Sequence, residues 1–247
     1  MQKIKYKYIF IGLIVLLTAC EKENLFDLFK STGDIVIEKR EIKNFTSIGL
    51  HDRINLFLVQ DTVEYLEIEA GENLLNSIDT KVNNGRLEIE NNNRANFVRS
   101  YKKEVNATVH YKSLRSIIYD GAGSINTLNT MQSSYFEFVQ YDGSGDYKFN
   151  LVVDTLRWLA HTGPGNATFI GKASDAYFYA SGQSILHAEN LQTINTSVNS
   201  AGLGDFYVNA SISINAEIYF NGNVYYRGDP TSIFRSGLGE GQLIKLK

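Results

Sequence analysis

Four histidines are the first residues to test for chemistry, because imidazole binds metals and moves protons near neutral pH. No two of them form the H-E-x-x-H pair of a zinc enzyme, and a single cysteine excludes a cysteine-based zinc cluster. The sequence therefore predicts no metal site, no cofactor site and no catalytic residue. The histidines are His51, His110, His161 and His187.

Asp120 and Asp142 are the strongest candidates for acid–base chemistry. Each precedes a glycine in an equivalent position, so in stacked coils they would lie one strand spacing, about 4.8 Å, apart. With Lys148 or Arg157 nearby they would suit a polysaccharide-acting enzyme, and with Asp146 a calcium site. Asp before Gly is also ordinary turn chemistry. We favour the turn, because later copies of the position hold other turn-compatible residues.

The only cysteine, Cys20, follows an N-terminal stretch typical of export. Three lysines precede an apolar run from Ile9 to Leu17, which is shorter than the roughly 20 residues of a membrane-spanning helix. The tetrapeptide Leu17-Thr18-Ala19-Cys20 resembles a bacterial lipobox, whose cysteine is acylated and becomes the first residue of the mature chain. We therefore predict a signal peptide over residues 1–19 and a lipidated tether over residues 20–33.

The residues after Cys20 indicate a destination. Residue 21 is Glu, whereas lipoproteins retained in the inner membrane usually have Asp there. The acidic flank Glu21 and Glu23 resembles surface-export signals of Bacteroidetes lipoproteins. Two acids beside a lipobox also suit an ordinary solvated tether, which leaves the periplasmic face as the alternative. We expect a lipid-anchored outer-membrane protein and favour the cell surface.

A ladder of glycine turns recurs through the second half of the chain. The glycines that begin successive copies are separated by 22, 20, 19, 20, 20 and 15 residues. Most copies continue as G-x-G, and a period near 20 residues indicates a stacked repeat fold. The first glycines of the copies are Gly121, Gly143, Gly163, Gly182, Gly202, Gly222 and Gly237.

Aligning the copies on that glycine predicts apolar columns. Short strands with glycine corners cannot bury an apolar face alone, but stacked coils enclose a continuous core. The pattern predicts an all-β, single-stranded β-solenoid with about seven coils of about 20 residues. In the same alignment His161 lies beside Tyr119 and Tyr141, as a stacked wall residue. The column four residues before the glycine is Ile117, Val139, Leu159, Phe178, Val198, Ile218 and Ile233; the column four residues after it begins Ile125, Tyr147, Ala167, Leu186 and Phe206.

The part from Asp34 to Tyr111 is also strand-rich but lacks the glycine period. It contains Asn83-Asn84-Gly85, a strong hairpin signal. A solenoid needs a cap, since an open terminal coil exposes core and unpaired backbone. No flexible linker separates the two parts, so we predict one domain over residues 34–247 with a strand-rich N-terminal cap.

Several segments resemble the head GIN domain family of putative auto-transporter adhesins, which is common among exported Bacteroidetes proteins. The resemblance implies a right-handed β-helix-like fold on an envelope protein. Ser184 and Val224 depart from the family, which usually has a second glycine there. The matching segments are Phe45–Leu50, Gly71–Leu75, Asn84–Ile89, Tyr226–Pro230 and Ser236–Gly239.

Together these features predict a non-enzymatic envelope lipoprotein: an adhesin, or a binding or structural module that presents a β-solenoid surface to glycan or protein. The alternative is a β-helix polysaccharide lyase or glycoside hydrolase. Self-association through a coil end or flat face is a further possibility. A net charge of −3 provides no basic field for nucleic acid. Four aromatic residues are expected to face outward, as a surface for sugars or partners or as cross-coil ladders: Tyr177, Tyr179, Tyr219 and Trp158.

Overall fold

The computed structural model describes residues 32–93 and 104–247. The predicted signal peptide, the lipidation site Cys20 and nearly all of the tether lie outside the described residues. Within the described ranges, no helix is long and apolar enough to span a membrane.

The chain is nearly all-β, with 66% of residues in strands and 2% in helix, and forms a β-solenoid of about six turns. The sequence predicted about seven coils. The elements of the winding region are β8 (Ser116–Gly121), β9 (Ile125–Thr127), β10 (Met131–Asp142), β11 (Asp146–Thr162), β12 (Asn166–Ala180), β13 (Leu186–Ser200), β14 (Phe206–Ile218), β15 (Val224–Arg227), β16 (Ser232–Ser236) and β17 (Leu243–Lys245).

Each long strand contains two segments joined by a bend, and β11 shows how the sequence produces this. Its side chains alternate between buried and exposed up to Val153. The alternation slips at Asp154 and Thr155, then resumes at Leu156. Because side chains of a strand point alternately to its two faces, this slip lets both segments face the same core.

Neighbouring windings pair in parallel at a register of about 20 residues, and this register defines the inner columns. Trp158 pairs with Phe138 on one side and Phe178 on the other. Phe138 in turn pairs with Ile117, and Phe178 with Val198. These large side chains are buried and fill the interior of the solenoid.

The predicted inner column was wrong at four of its seven members. Ile218 and Ile233 each lie two residues out of register with Val198, which pairs with Ala216.

The other two errors are central. Val139 pairs with Ile118 and Leu159, so Val139 and Leu159 lie one residue past the inner column and on the outer side of the wall, where Val139 is only 7% exposed. The corners after β10 and β11 begin one residue later than the corner after β8, so alignment on the glycine shifts their strands by one. A shift of one residue moves a side chain to the other face of a strand, so the alignment assigned Val139 and Leu159 to the wrong face.

The N-terminal part forms the predicted cap. Its elements are β1 (Ile35–Arg40), β2 (Ser47–Asp52), β3 (Asn55–Gln60), β4 (Tyr65–Gly71), α1 (Glu72–Leu75), β5 (Ile78–Asn83), β6 (Arg86–Asn91) and β7 (Asn106–Tyr111). β2 pairs in parallel with β8, and β3 with β9, so the first winding continues into the cap. β6 and β7 stack next in parallel, after which the antiparallel strands β4, β1 and β5 complete it.

Two local features hold the cap. The predicted hairpin turn is present between β5 and β6, with positive φ at Asn84 (50°) and Gly85 (76°), as a tight hairpin turn requires. Arg40 of β1 donates hydrogen bonds to the carbonyl oxygen of Ile78 at 2.5 Å and to Thr80 Oγ1 at 3.1 Å. These bonds connect the two antiparallel edges of the cap.

Candidate functional site

An open depression of about 540 Å³ lies on the outer wall where the cap meets the first winding. Three adjacent strands, β2, β8 and β10, supply its lining: His51, Asp52, Asp120, Gly121, Tyr141 and Asp142. His51 pairs with Asp120 in the β2–β8 register, and the β8–β10 register that pairs Tyr119 with Gln140 brings Tyr141 to the other side of Asp120. Asp120, which has a short side chain, therefore lies between the rings of His51 and Tyr141.

The neighbouring row explains the gap in the wall at this place. Asp52 pairs with Gly121, and the same β8–β10 register places Asp142 beyond it. Gly121 places no side chain between Asp52 and Asp142, and the Asp52 carboxylate turns towards β6, where its Oδ2 accepts the backbone N–H of Asn91 at 3.0 Å. A Cβ at Gly121 would lie 2.0 Å from the carbonyl oxygen of Asp52, so the position has no room for a larger residue.

His51 is fixed between two carboxylates. Its Nδ1 lies 2.5 Å from Asp120 Oδ1, and its Nε2 lies 3.3 Å from Glu88 Oε2. Arg86 contacts the other oxygen of Glu88 at 2.5 Å. A neutral imidazole can donate through one nitrogen only, whereas the imidazolium donates through both. The geometry therefore fits the charged form.

The pKa of His51 follows from these contacts. Partial burial acts to lower it, but the hydrogen bonds and negative charges of Asp120 and Glu88 outweigh burial and raise the pKa above 6.5. No sequence pattern predicted this cluster. Its members come from β2, β6 and β8 and are brought together by stacking.

Tyr141 forms the aromatic wall of the depression. Its ring stacks on His161 with centroids 5.1 Å apart and planes 10° apart, and His161 contacts Tyr179 at 5.5 Å. The predicted stacking of His161 against the wall is confirmed by this pair. Tyr119, assigned to the same column, is instead buried with its hydroxyl bonded to Gly123. Tyr141 is 51% exposed and its unstacked side lines the depression.

The predicted equivalence of Asp120 and Asp142 was wrong, although both line the depression. Tyr141, not Asp142, lies beside Asp120, because the corner after β10 begins one residue later. Arg157 pairs with Glu137 at 3.0 Å, and neither Arg157 nor Lys148 lines the depression. The set of groups that the enzyme alternative required is therefore not assembled at this place.

The calcium alternative receives no support from the geometry. Asp146 does not line the depression. Over the two described ranges, no group of three His, Cys, Asp or Glu residues is placed to hold a metal ion.

The aromatic residues expected to face outward divide into two groups. Trp158 is fully buried, so its assignment to the surface was wrong; it belongs to the inner column. Tyr177 lies under the Arg157 guanidinium at 4.8 Å, which matches the ladder interpretation. Tyr179 is half-buried against His161, and Tyr219 is 53% exposed.

A second aromatic ladder was missed. His187 stacks on Tyr207 at 5.2 Å, and Tyr207 on Tyr225 at 4.9 Å, with planes within 9°. The sequence does carry a signal for this ladder. In three successive copies, the outward-facing residue between the two apolar residues that follow the corner has an aromatic ring: His187, Tyr207 and Tyr225.

The outer wall beside the depression is apolar. Ile118, Val139, Leu159 and Tyr179 follow one another in register across four windings. Outward positions of a solvated sheet are usually polar. This row is named here the apolar row. Val139 is only 7% exposed, and the other three members are half-buried, so the row offers a partner a narrow, partly covered apolar strip.

The described residues form a capped, parallel β-solenoid whose interior is filled by side chains, so the chain is a β-solenoid module with only its outer surface open to a partner. The family description "Putative auto-transporter adhesin, head GIN domain" matches residues 44–230, and the chain belongs to this family. Membership indicates an exported or cell-surface protein, and the resemblance predicted from the sequence is confirmed.

Solved structures show the same fold. A putative adhesin from Bacteroides fragilis is 22% identical with a TM-score of 0.79, and the match covers 86% of this chain and 97% of that one. A putative lipid binding protein from Parabacteroides distasonis is 20% identical (TM-score 0.67, 88% and 98% covered). A putative adhesin from Parabacteroides merdae is 16% identical (TM-score 0.62, 88% and 98% covered). No curated protein sequence matches the chain.

Proposed function

We propose that this protein is a cell-envelope lipoprotein that is anchored to the outer membrane through Cys20 and binds its partner with the outer wall of the solenoid. The partner is a surface glycan or protein, and the module performs no catalysis. One diacylated, N-acylated cysteine buries several acyl chains at about 0.8 kcal/mol per CH₂, which makes the attachment effectively permanent.

The observation that carries the proposal is the character of the outer wall. The interior is filled by side chains such as Trp158 and Phe178, so a partner has to contact the outside. There the apolar row and the depression lie side by side on a wall built from regular parallel strands. Binding groups on strands are held more rigidly than groups on loops.

Anchoring is tested by replacing Cys20. In cells fed a labelled fatty acid, the unmodified chain should carry label and remain with the outer membrane, whereas Cys20→Ala should lose both. Glu21→Gln is the matched control at the next position and should keep its label. Whole-cell protease treatment should cleave the anchored chain. Persistent labelling of Cys20→Ala, or full resistance to protease beside a cleaved surface control, would refute the proposal.

Binding and catalysis are separated by incubating the purified chain with polysaccharides and with host and bacterial surface proteins. We expect retention on at least one of them, with no new reducing ends and no unsaturated sugar products. Product formation that is lost in Asp142→Asn would instead establish the enzyme alternative.

A further inference from the structure

The depression between His51 and Tyr141 has the size and composition of a sugar subsite. Its volume of about 540 Å³ lies within the roughly 300–1,000 Å³ of small-molecule sites. It combines one exposed ring with hydrogen-bonding groups on three strands. Such a mixture of an apolar surface and a few oriented polar groups fixes the pose of a small ligand.

Tyr141 provides the apolar surface. One side of its ring is stacked on His161 at 5.1 Å, which holds the ring in place before any ligand arrives. The other side is open to the depression. The C–H face of a pyranose ring is flat and apolar and would cover this side, and a pre-fixed ring loses little conformational freedom on binding.

The carboxylates provide acceptors for hydroxyl groups. Asp120 uses Oδ1 for His51, and Asp52 uses Oδ2 for the backbone N–H of Asn91. The second carboxylate oxygen of Asp120 and that of Asp52 can therefore accept a hydrogen bond from a ligand. Asp142 is exposed. A carboxylate only accepts hydrogen bonds, and sugar hydroxyls supply the donors.

Charge decides which sugars fit. The lining contains three carboxylates and one histidine, so it stays net negative even when His51 is charged, and the charges of Glu88 and Arg86 behind His51 cancel. The lining is therefore net negative, and an anionic sugar would be repelled at close range. A neutral ring keeps the stacking and the hydrogen bonds without that repulsion.

From this geometry we propose that the depression is a subsite for one neutral pyranose ring of a glycan, stacked on Tyr141 and hydrogen-bonded by Asp142 and Asp120, and that it discriminates against acidic sugars. This inference rests on the proposed binding function and gives it a place on the molecule. His51 is a positioning residue here, because it orients Asp120 while both of its own nitrogens are already bonded.

The test uses the full chain on an array of neutral, amino and acidic glycans, followed by titration of the best neutral glycan. We expect binding to neutral glycans, and none to oligogalacturonate of matched length. Tyr141→Ala and Asp142→Asn should weaken binding at least tenfold. Tyr207→Ala, in the second aromatic ladder, is the control and should not change binding.

Each contrary result has a separate meaning. Glycan binding that survives Tyr141→Ala, or equal binding of oligogalacturonate, overturns the subsite and leaves the proposed binding function standing. A silent array with retention on a protein partner also overturns the subsite alone. Retention on neither glycans nor proteins overturns both.

Discussion

Two buried tyrosines in the solenoid interior provide a matched test of how polar groups affect its stability. Tyr119 and Tyr147 contact each other edge-on, with ring centroids 5.4 Å apart. The Tyr119 hydroxyl donates to the carbonyl oxygen of Gly123 at 3.0 Å and accepts its N–H at 2.5 Å. The Tyr147 hydroxyl has no hydrogen-bond partner among the described residues. The same substitution, to Phe, should therefore have opposite effects at the two positions.

Tyr119→Phe leaves both backbone groups of Gly123 without their partner inside the corner. An unsatisfied buried group costs about 1–3 kcal/mol, and in a chain of this size 1 kcal/mol changes Tm by about 2–4 °C. We expect Tm to fall by about 4–8 °C for a loss near 2 kcal/mol. Tyr147→Phe removes only an unpaired hydroxyl from the core, so Tm should be unchanged or rise.

Thermal unfolding followed by circular dichroism measures both variants, and hydrogen exchange gives an independent reading. The Gly123 amide should lose protection in Tyr119→Phe and keep it in Tyr147→Phe. Burial raises the pKa of Tyr119 to about 12, so both hydroxyls stay protonated at the neutral pH of the assay. Equal destabilisation by the two substitutions would show that ring packing, not the hydroxyl contacts, accounts for the effect, and the reasoning would be refuted.

Two further predictions concern the cap and the corners. Because the pKa of His51 is raised in the folded state, the stabilisation that His51 contributes is complete below pH 6.5 and declines as pH rises through the folded-state pKa. His51→Gln should therefore reduce the fall in Tm between pH 6 and 9. An unchanged fall in Tm, or the same reduction in the control His187→Gln, would count against this reasoning. Gly163 (φ 90°) and Gly85 (φ 76°) both have left-handed backbone, which costs an Ala roughly 1–2 kcal/mol. At Gly163 a Cβ would also lie 2.2 Å from the carbonyl oxygen of Gly143, whereas at Gly85 it meets nothing within 4 Å. Gly163→Ala should therefore lower Tm more than Gly85→Ala, and equal losses would contradict a steric role for the corner.

The architecture could be predicted from the sequence because the corners are constrained residue by residue. A Cβ at Gly145 would lie 2.2 Å from the carbonyl oxygen of Gly123, one winding earlier. This close approach leaves room only for glycine, so the spacing of such glycines in the sequence gives the repeat length. The column that starts with Ile125 was also correct as far as Phe206, because the distance from each of these corners to the next strand is constant. Its next predicted member, Tyr226, was wrong, because Phe206 pairs with Val224.

The candidate site could not be predicted in the same way. His51 and Asp120 are 69 residues apart, and the cap inserts β4, α1, β5, β6 and β7 between their strands. No period connects residues across that insertion. Only the strand order, with β2 directly on β8, brings them together.

The irregularity that shifted the predicted column also builds the depression. β8 reaches its corner glycine two residues after Tyr119, whereas β10 continues for one residue more after Gln140, the partner of Tyr119. The extra residue is Asp142, and it therefore lies beside Gly121 and not beside another carboxylate. Had both corners begun in register, Asp142 would have stacked on Asp120, with like charges about 4.8 Å apart and no gap beside Tyr141. A regular solenoid has a uniform wall, and this one acquires a concave, chemically distinct position where its period changes.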